Sequence, residues 1–218
     1  MRAAVFGVSD GLVSNMGLIL GVAGADPQPA VVRLAGLAGL VAGAISMAAG
    51  EYNSMRVQSE LLLRELRIEA LELRRRPELE TRELAHIYEQ RGLDPEQART
   101  VAEAMMSDPD RALQAHARDE LGIDPEQLGS PMAAASSSLL AFSVGAVIPL
   151  IPWFVGAGTA AMVASLVLGV TAAAVVGWLI GRSTERPLIR SITRQVLFTL
   201  VPALITFGLG NALGVGTT

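Results

Sequence analysis

Long uncharged stretches constrain this chain more than any other feature of its sequence. From Gln127 to Gly181 no charged residue occurs, and between Ala3 and Ala25 the only charge is Asp10. A helix of about 20 apolar residues is long enough to cross the hydrocarbon core of a bilayer. The hydrophobic fraction of 51% and the mean hydropathy of +0.44 are also high for a soluble domain. We therefore predict an all-α membrane protein.

Prolines, glycines and charges divide these stretches into five predicted membrane-spanning helices. The link Asp26-Pro27-Gln28-Pro29 separates the first two helices, because proline disfavours a continued helix. Pro149 and Pro152, followed by two glycines, divide the longest uncharged stretch. The predicted spans are about residues 3–25, 31–50, 132–153, 159–181 and 196 to the carboxyl terminus.

The distribution of arginine predicts the orientation of these helices. Four arginines, Arg182, Arg186, Arg190 and Arg194, lie between the fourth and fifth spans, and the segment after the second span contains eleven more. The links on the opposite side contain only Arg33, at an edge. Positive residues concentrate on the cytoplasmic side of membranes. We therefore expect a cytoplasmic amino terminus and an external carboxyl terminus, in the plasma membrane if the chain is bacterial.

A polar insert interrupts the predicted spans. Residues 51–128 separate the first two spans (1–50) from the last three (129–218), and 18 acidic and 11 basic residues lie between Glu51 and Glu126. Pro77 and Gly92 are expected to end successive helices, and the Asp-Pro pairs at 94 and 108 resemble helix N-caps followed by proline at the first helical position. We predict a compact cytoplasmic bundle of helices.

Acidic pairs in the insert suggest a metal-binding function. Glutamates three residues apart share one face of a helix, as do a histidine and a glutamate four residues apart. Carboxylate oxygens and an imidazole nitrogen together suit iron, manganese or zinc. The alternative is a charged surface that only faces water. The candidate ligands are Glu69, Glu72, Glu80, Glu83, His116 and Glu120.

Asp10 is the main candidate within the membrane, since a charge facing lipid costs several kcal/mol. Counting 1.5 Å per residue from the two ends of a core roughly 30 Å thick places Asp10 and Met47 at similar depth. An oxygen and a sulfur ligand together suit a transition metal, although methionine also fills gaps in packing. Glu51 lies one turn nearer the cytoplasm, where it is expected to form the mouth of the pathway.

Several other functions are disfavoured. The chain contains no cysteine, which excludes thiolate metal ligands, and its net charge of −4 argues against nucleic acid as a partner. No nucleophile–base arrangement is recognisable, so we do not expect an enzyme or a tightly bound cofactor. Glu83 and His86 form a single Glu-x-x-His step, whereas a di-iron oxidase usually needs two.

Four sequence features together resemble the vacuolar iron transporter family. They are GVSDGLVSN at residues 7–15, AGAISMAAGEY at residues 42–52, the acidic insert, and ARDELGI at residues 117–123. The resemblance covers essentially the whole chain. It implies a five-span homodimer that exchanges cytosolic ferrous iron, often also manganese, for protons. It also implies a pathway at the dimer interface between the first two spans, and an insert that collects metal.

The resemblance assigns functional positions and shows two departures. Asp10 and Met47 match the family's membrane aspartate and methionine, and the matching insert glutamates are Glu69, Glu72, Glu80, Glu83 and Glu120. The plant-type pattern has a further glutamate where this chain has Gly39. It also has a Met-Met pair where this chain has His116 and Ala117.

The candidate ligands and the resemblance together predict a transporter that exports cytosolic Fe(II) or Mn(II), or both. The exchange for protons, and a vacuole-like membrane in eukaryotic relatives, are what the resemblance implies. A metal sensor or storage protein without transport is the alternative, because metal binding by the insert does not itself require flux. A membrane-anchored ferroxidase is a weaker alternative, since the Glu-x-x-His step occurs only once.

Overall fold

The computed structural model describes residues 2–125 and 129–214. Across these residues the chain is α-helical apart from short links and one 3₁₀ turn, and it contains no β-strand. It divides into two compact units, Met1–Tyr52 with Met132–Thr218, and Asn53–Pro131. The predicted end of the insert, residues 126–128, lies outside the described residues.

The helices follow the pattern of prolines closely, because most of them begin at proline. The second helix is continuous for 47 residues and contributes to both units. In chain order the helices are α1 (Arg2–Ala23), α2 (Pro29–Arg75), α3 (Pro77–Gln90), α4 (Pro95–Met106), α5 (Pro109–Asp119), α6 (Pro131–Val147), a 3₁₀ turn (Ile148–Leu150), α7 (Pro152–Val155), α8 (Gly158–Ser183) and α9 (Leu188–Gly214).

The first unit contains five stretches that are long and apolar enough to span a membrane. These are Val5–Ala23 of α1, the amino-terminal part of α2, Pro131–Leu150, α8 and α9. Many large apolar side chains on their outer surfaces are exposed, including Leu34 and Ile189, which are 69% and 80% exposed. A surface of this kind is expected where the surroundings are lipid rather than water. The prediction of five membrane-spanning helices is therefore confirmed.

Close contact between α1 and α6 depends on glycine. A Cβ atom at Gly11 would collide with the carbonyl oxygen of Phe142, and one at Gly145 would collide with the carbonyl oxygen of Val8. Small residues allow two helix backbones to approach closely in membranes, where there is little hydrophobic force between helices. The glycines near Asp10 therefore bring α6 directly against the segment that carries this carboxylate.

The third span differs from the sequence prediction. One continuous helix was expected over about 132–153, but α6 ends at Val147 and is followed by the 3₁₀ turn and the short α7. Pro149 and Pro152 lack the backbone N–H groups that would continue the α-helical hydrogen bonds. The buried hydroxyl of Ser165 on α8 donates a hydrogen bond to the carbonyl of Pro149 at 2.7 Å, which satisfies part of this break.

The second unit consists of the end of α2 and helices α3 to α5. The carboxylates of Asp94 and Asp108 each accept hydrogen bonds from two backbone N–H groups at the starts of α4 and α5, as N-caps do. Two small apolar clusters hold the helices together, one around Leu66 and Ala117 and the other around Leu84 and Ala102. Leu66 and Ala117 bring α2 against α5.

Candidate metal sites

In the second unit, α2 and α5 bring two glutamates and a histidine together. One ligand atom from each of Glu69, His116 and Glu120 lies within 4.8 Å of the other two. The His116 Nδ1 atom is 3.1 Å from Glu69 Oε1 and 3.0 Å from Glu120 Oε2. Glu69 and His116 are buried, whereas Glu120 is partly accessible from solvent. The arrangement is a small, enclosed set of oxygen and nitrogen ligands with one accessible side.

Hydrogen bonding within this cluster satisfies the three residues only in part, through the contact between His116 Nδ1 and Glu120 Oε2. A single N–H on His116 Nδ1 can point well toward only one of the two carboxylates. The buried Glu69 Oε1 and His116 Nε2 atoms have no hydrogen-bond partner among the described residues. Unpartnered buried polar atoms are costly, so their presence here favours a site that receives a cation.

The electrostatics of Glu69 agree with this interpretation. Burial and then the negative charge of Glu120 raise the pKa of Glu69 to about 7, although His116 acts in the opposite direction. Glu69 lies beyond the apolar part of α2, in the second unit. Near neutral pH its carboxyl group can therefore hold either a proton or a metal ion, and the two compete.

A second group of side chains holds α3 and α5 together next to this cluster. Asp119 forms an ion pair with Arg91 and accepts a hydrogen bond from the Tyr88 hydroxyl at 3.0 Å. Burial and this bond raise the pKa of Tyr88 to about 12. Because Asp119 precedes Glu120, the contact fixes the end of α5 that carries Glu120.

The other predicted ligands in the insert are placed differently. Glu80 is buried, and burial followed by the charge of Glu83 raises its pKa. Glu72 and Glu83 are exposed, and none of these three glutamates belongs to the 4.8 Å cluster. His86 is exposed and contacts Gln90, so the Glu-x-x-His step does not form a buried di-iron site among the described residues.

In the first unit, a cavity of about 310 Å³ lies between α1, α2 and α6. Asp10 and Met47, the two residues predicted to lie at similar depth, both line it. Met47 also packs against an apolar cluster of Ala44 and Phe142, so it contributes to packing as well as to the cavity wall. Glu51 is half-buried on α2 and is not one of the lining residues.

Sequence reasoning missed another polar residue of this cavity, Asn15. It lines the same cavity and is only 2% exposed. Gly39, the position at which the plant-type pattern has a glutamate, also lies on the wall. Asn15 is a polar amide within the apolar first span, five residues after Asp10, and this polarity was the available signal.

The two sites suit divalent transition metals. The cluster in the second unit offers carboxylate oxygens and an imidazole nitrogen, and the cavity in the first unit offers carboxylate and amide oxygens and a thioether sulfur. Mixed oxygen, nitrogen and sulfur ligands favour ions such as Fe(II), Mn(II) or Zn(II) over Mg²⁺ or Ca²⁺.

Comparisons with known proteins agree over nearly the whole chain. The profile described as "VIT family" matches residues 1–211. Vacuolar iron transporter 2 of Oryza sativa subsp. japonica is 35% identical over 98% of this chain and 87% of its own length. Vacuolar iron transporter 1 of Eucalyptus grandis is 30% identical over 98% and 86%. Vacuolar iron transporter of Acanthamoeba castellanii is 41% identical over 69% and 54%. With five apolar helices and a match of this extent, the chain is an integral membrane protein that belongs to the VIT family.

Proposed function

We propose that this protein exports Fe(II) or Mn(II), or both, from the cytosol in exchange for protons. The cavity that Asp10 and Met47 share is the observation that carries the proposal. A carboxylate among five apolar helices is costly unless it serves an ion, and the neighbouring thioether favours a transition metal. The names of the relatives, which are vacuolar iron transporters, support metal ions as the cargo.

The helical unit between the second and third spans is proposed to collect metal from the cytosol. Its buried cluster of Glu69, His116 and Glu120 supports this role, and Glu72, Glu80 and Glu83 add negative charge to the same unit. Arginine placement supports a cytoplasmic position for this unit and for the amino terminus. The metal ions are cargo in this proposal, and no tightly bound cofactor is required.

Proton exchange is proposed because a carboxylate holds either a proton or a metal ion. A metal that leaves Asp10 for the far side of the membrane allows a proton to bind there, and proton release on the cytosolic side restores the metal-binding form. The family resemblance further suggests that the protein works as a homodimer. The position of Glu51, one helical turn nearer the cytoplasm than Met47, suggests that it lies at the entrance of the pathway. A bacterial protein would use the plasma membrane, and a eukaryotic one a vacuole-like membrane.

Metal uptake into inside-out proteoliposomes tests this function. We expect Mn(II) or Fe(II) uptake that accelerates when the lumen is acidic, and loss of uptake to background in Asp10→Asn. Asp26→Asn is the matched control, because Asp26 is an exposed carboxylate in the link after α1 and lies outside the cavity. Its uptake should equal that of the wild type.

The same assay separates the alternatives. A sensor or storage protein would bind Mn(II) with no flux in the wild type. A ferroxidase would consume oxygen when Fe(II) is added. If Asp10→Asn takes up metal at the same rate as the wild type, the assignment of the pathway to the cavity is contradicted.

A further inference from the structure

Among the described residues, one end of the buried Asn15 amide is hydrogen-bonded and the other end is not. Its Oδ1 atom is buried and has no hydrogen-bond partner in the part of the chain that the structure describes. Leaving a buried acceptor unpaired destabilises the folded state. Native proteins seldom retain such an atom without a structural or functional reason.

The orientation of this amide is determined by its other end. Asn15 Nδ2 donates a 2.7 Å hydrogen bond to the carbonyl oxygen of Ala146, in the last turn of α6. Carbonyl groups in the last turn of a helix lack partners within that helix. Rotating the amide by 180° would place two oxygens against each other, so the nitrogen faces α6 and Oδ1 faces away from it.

Gly39 allows Oδ1 to approach the backbone of α2 closely. A Cβ atom built on Gly39 would lie 2.7 Å from Asn15 Oδ1, which is closer than real Cβ contacts. Oδ1 therefore points toward α2, and Gly39 and Asn15 line the same cavity as Asp10 and Met47. A larger side chain at position 39 would displace the amide oxygen from this place.

We propose that Asn15 Oδ1 is a third ligand, beside the Asp10 carboxylate and the Met47 thioether, for the divalent metal ion in this cavity. The proposal rests on the function proposed above and adds a residue that the family comparison does not assign. It explains the unpaired oxygen, because an amide carbonyl is a good ligand for a cation after the ion sheds water.

This ligand set also has a consequence for transport. Within one subunit, Asp10 supplies one negative charge, whereas Asn15 and Met47 supply none. The ligands of one subunit therefore leave part of the charge of a divalent ion uncompensated. A transport site must bind its ion well enough to admit it and weakly enough to release it. A neutral oxygen in place of a second carboxylate favours release.

A purely structural role for Asn15 makes a different prediction. In that case Asn15 contributes through its hydrogen bond to Ala146, and all substitutions that remove Nδ2 should change the KM for Mn(II) uptake equally. Asn15→Leu removes both the nitrogen and the oxygen, whereas Asn15→Asp removes the nitrogen and keeps an oxygen. Comparison of these two variants therefore separates the role of Asn15 as a metal ligand from its purely structural role.

The test measures the KM for Mn(II) uptake into proteoliposomes and the melting temperature in detergent. We expect Asn15→Leu to raise KM roughly tenfold or more, as losses of metal-site residues do, while Asn15→Asp stays within a few-fold of the wild type. Ser165→Ala is the matched control. It removes a buried 2.7 Å bond to the Pro149 carbonyl and lies outside the cavity, so it should lower the melting temperature and leave KM unchanged.

Gly39→Ala provides a second variant that leaves Asn15 and its bond to Ala146 in place. Its methyl group would crowd both Oδ1 and the flexible end of the Leu18 side chain. Because the Leu18 side chain can rotate away, we expect a higher KM with little change in the melting temperature. An unchanged KM in either Asn15→Leu or Gly39→Ala would overturn the proposal. Equal changes of KM in Asn15→Leu and Asn15→Asp would also overturn it, in favour of the purely structural role.

A binding measurement keeps this proposal distinct from the function on which it rests. In a Glu69→Gln/His116→Ala background, Mn(II) binding measured by equilibrium dialysis reports on the cavity without requiring transport. Weaker binding after the additional change Asn15→Leu supports the ligand role even if the wild type shows no flux. Unchanged binding contradicts the ligand role even if the wild type transports metal.

Discussion

Replacing Glu69 by glutamine should stabilise the metal-free protein at alkaline pH and weaken its metal binding. Glu69 is buried beside His116, and its pKa is raised from 4.5 to about 7. A raised carboxyl pKa means that folding disfavours the charged form. A metal ion binds the charged form of the carboxyl group. The ionised Glu69 therefore supports metal binding but lowers the stability of the metal-free protein.

The magnitude follows from the pKa. The pKa of Glu69 is higher in the folded protein than in the unfolded chain, so holding its ionised carboxylate in the folded protein costs free energy of folding. This cost is absent below pH 4.5, grows between pH 4.5 and 7, and is complete above pH 7. The difference between 4.5 and about 7 corresponds to at most about 3 kcal/mol. Glutamine has a similar shape and no charge, so Glu69→Gln should remove this cost at pH 8 and change little near pH 4.5.

Thermal melting of the full-length protein in detergent, with a chelator present, measures this effect. We expect the wild type to melt at a lower temperature at pH 8 than at pH 6, and Glu69→Gln to melt above the wild type at pH 8. With excess Mn(II) and no chelator, the wild type should gain more stability than the variant, because binding to the folded state stabilises it. Glu60→Gln is the matched control on α2, since Glu60 is exposed and pairs with the equally exposed Arg56.

Two results would refute this reasoning. Glu69→Gln could melt at or below the wild-type temperature at pH 8, which would show that the ionised carboxylate is not a cost. Alternatively, the variant could be stabilised by Mn(II) as strongly as the wild type, which would show that Glu69 is not a ligand.

Three further predictions concern the helical unit between the second and third spans. The affinity of this unit for Mn(II), measured by calorimetry in an Asp10→Asn background, should fall about tenfold from pH 8 to pH 6 through protonation of Glu69 alone; a flat profile would contradict the competition between proton and metal. His116→Ala should weaken Mn(II) binding roughly tenfold or more by equilibrium dialysis, whereas exposed His86→Ala should not change it. Tyr88→Phe removes the bond to Asp119 and should cost about 1–2 kcal/mol, seen as a lower melting temperature; an unchanged melting temperature would show that this contact does not hold α3 and α5 together.

Local sequence patterns were enough to predict much of the fold. Uncharged stretches identified the five spans, and the Asp-Pro pairs at 94 and 108 identified the starts of α4 and α5 because capping is a local interaction. The third span was predicted less well. Two prolines three residues apart can bend one helix or end it, and the sequence does not distinguish these outcomes.

The candidate sites depend on contacts that spacing cannot supply. His116 and Glu120 are four residues apart, so their proximity was predictable from helical geometry. Glu69 joins them only because α2 packs against α5. Glu69 rather than Glu72 belongs to the candidate metal site because Glu69 is buried beside His116 and Glu72 is exposed. Similarly, the similar depth of Asp10 and Met47 was predicted by counting residues along the helices. The orientation of the Asn15 amide could not be predicted in this way, because it depends on the hydrogen bond to Ala146 in the last turn of α6.

Anomalous scattering from crystals soaked in Mn(II) tests the central claim most directly, namely that the cavity between α1, α2 and α6 holds the transported metal. We predict a peak within coordinating distance of the Asp10 carboxylate, the Met47 sulfur and Asn15 Oδ1, and a separate peak at Glu69, His116 and Glu120. In crystals of Asp10→Asn the first peak should disappear and the second should remain. A wild-type crystal that shows the second peak at full occupancy and no density in the cavity would contradict the claim.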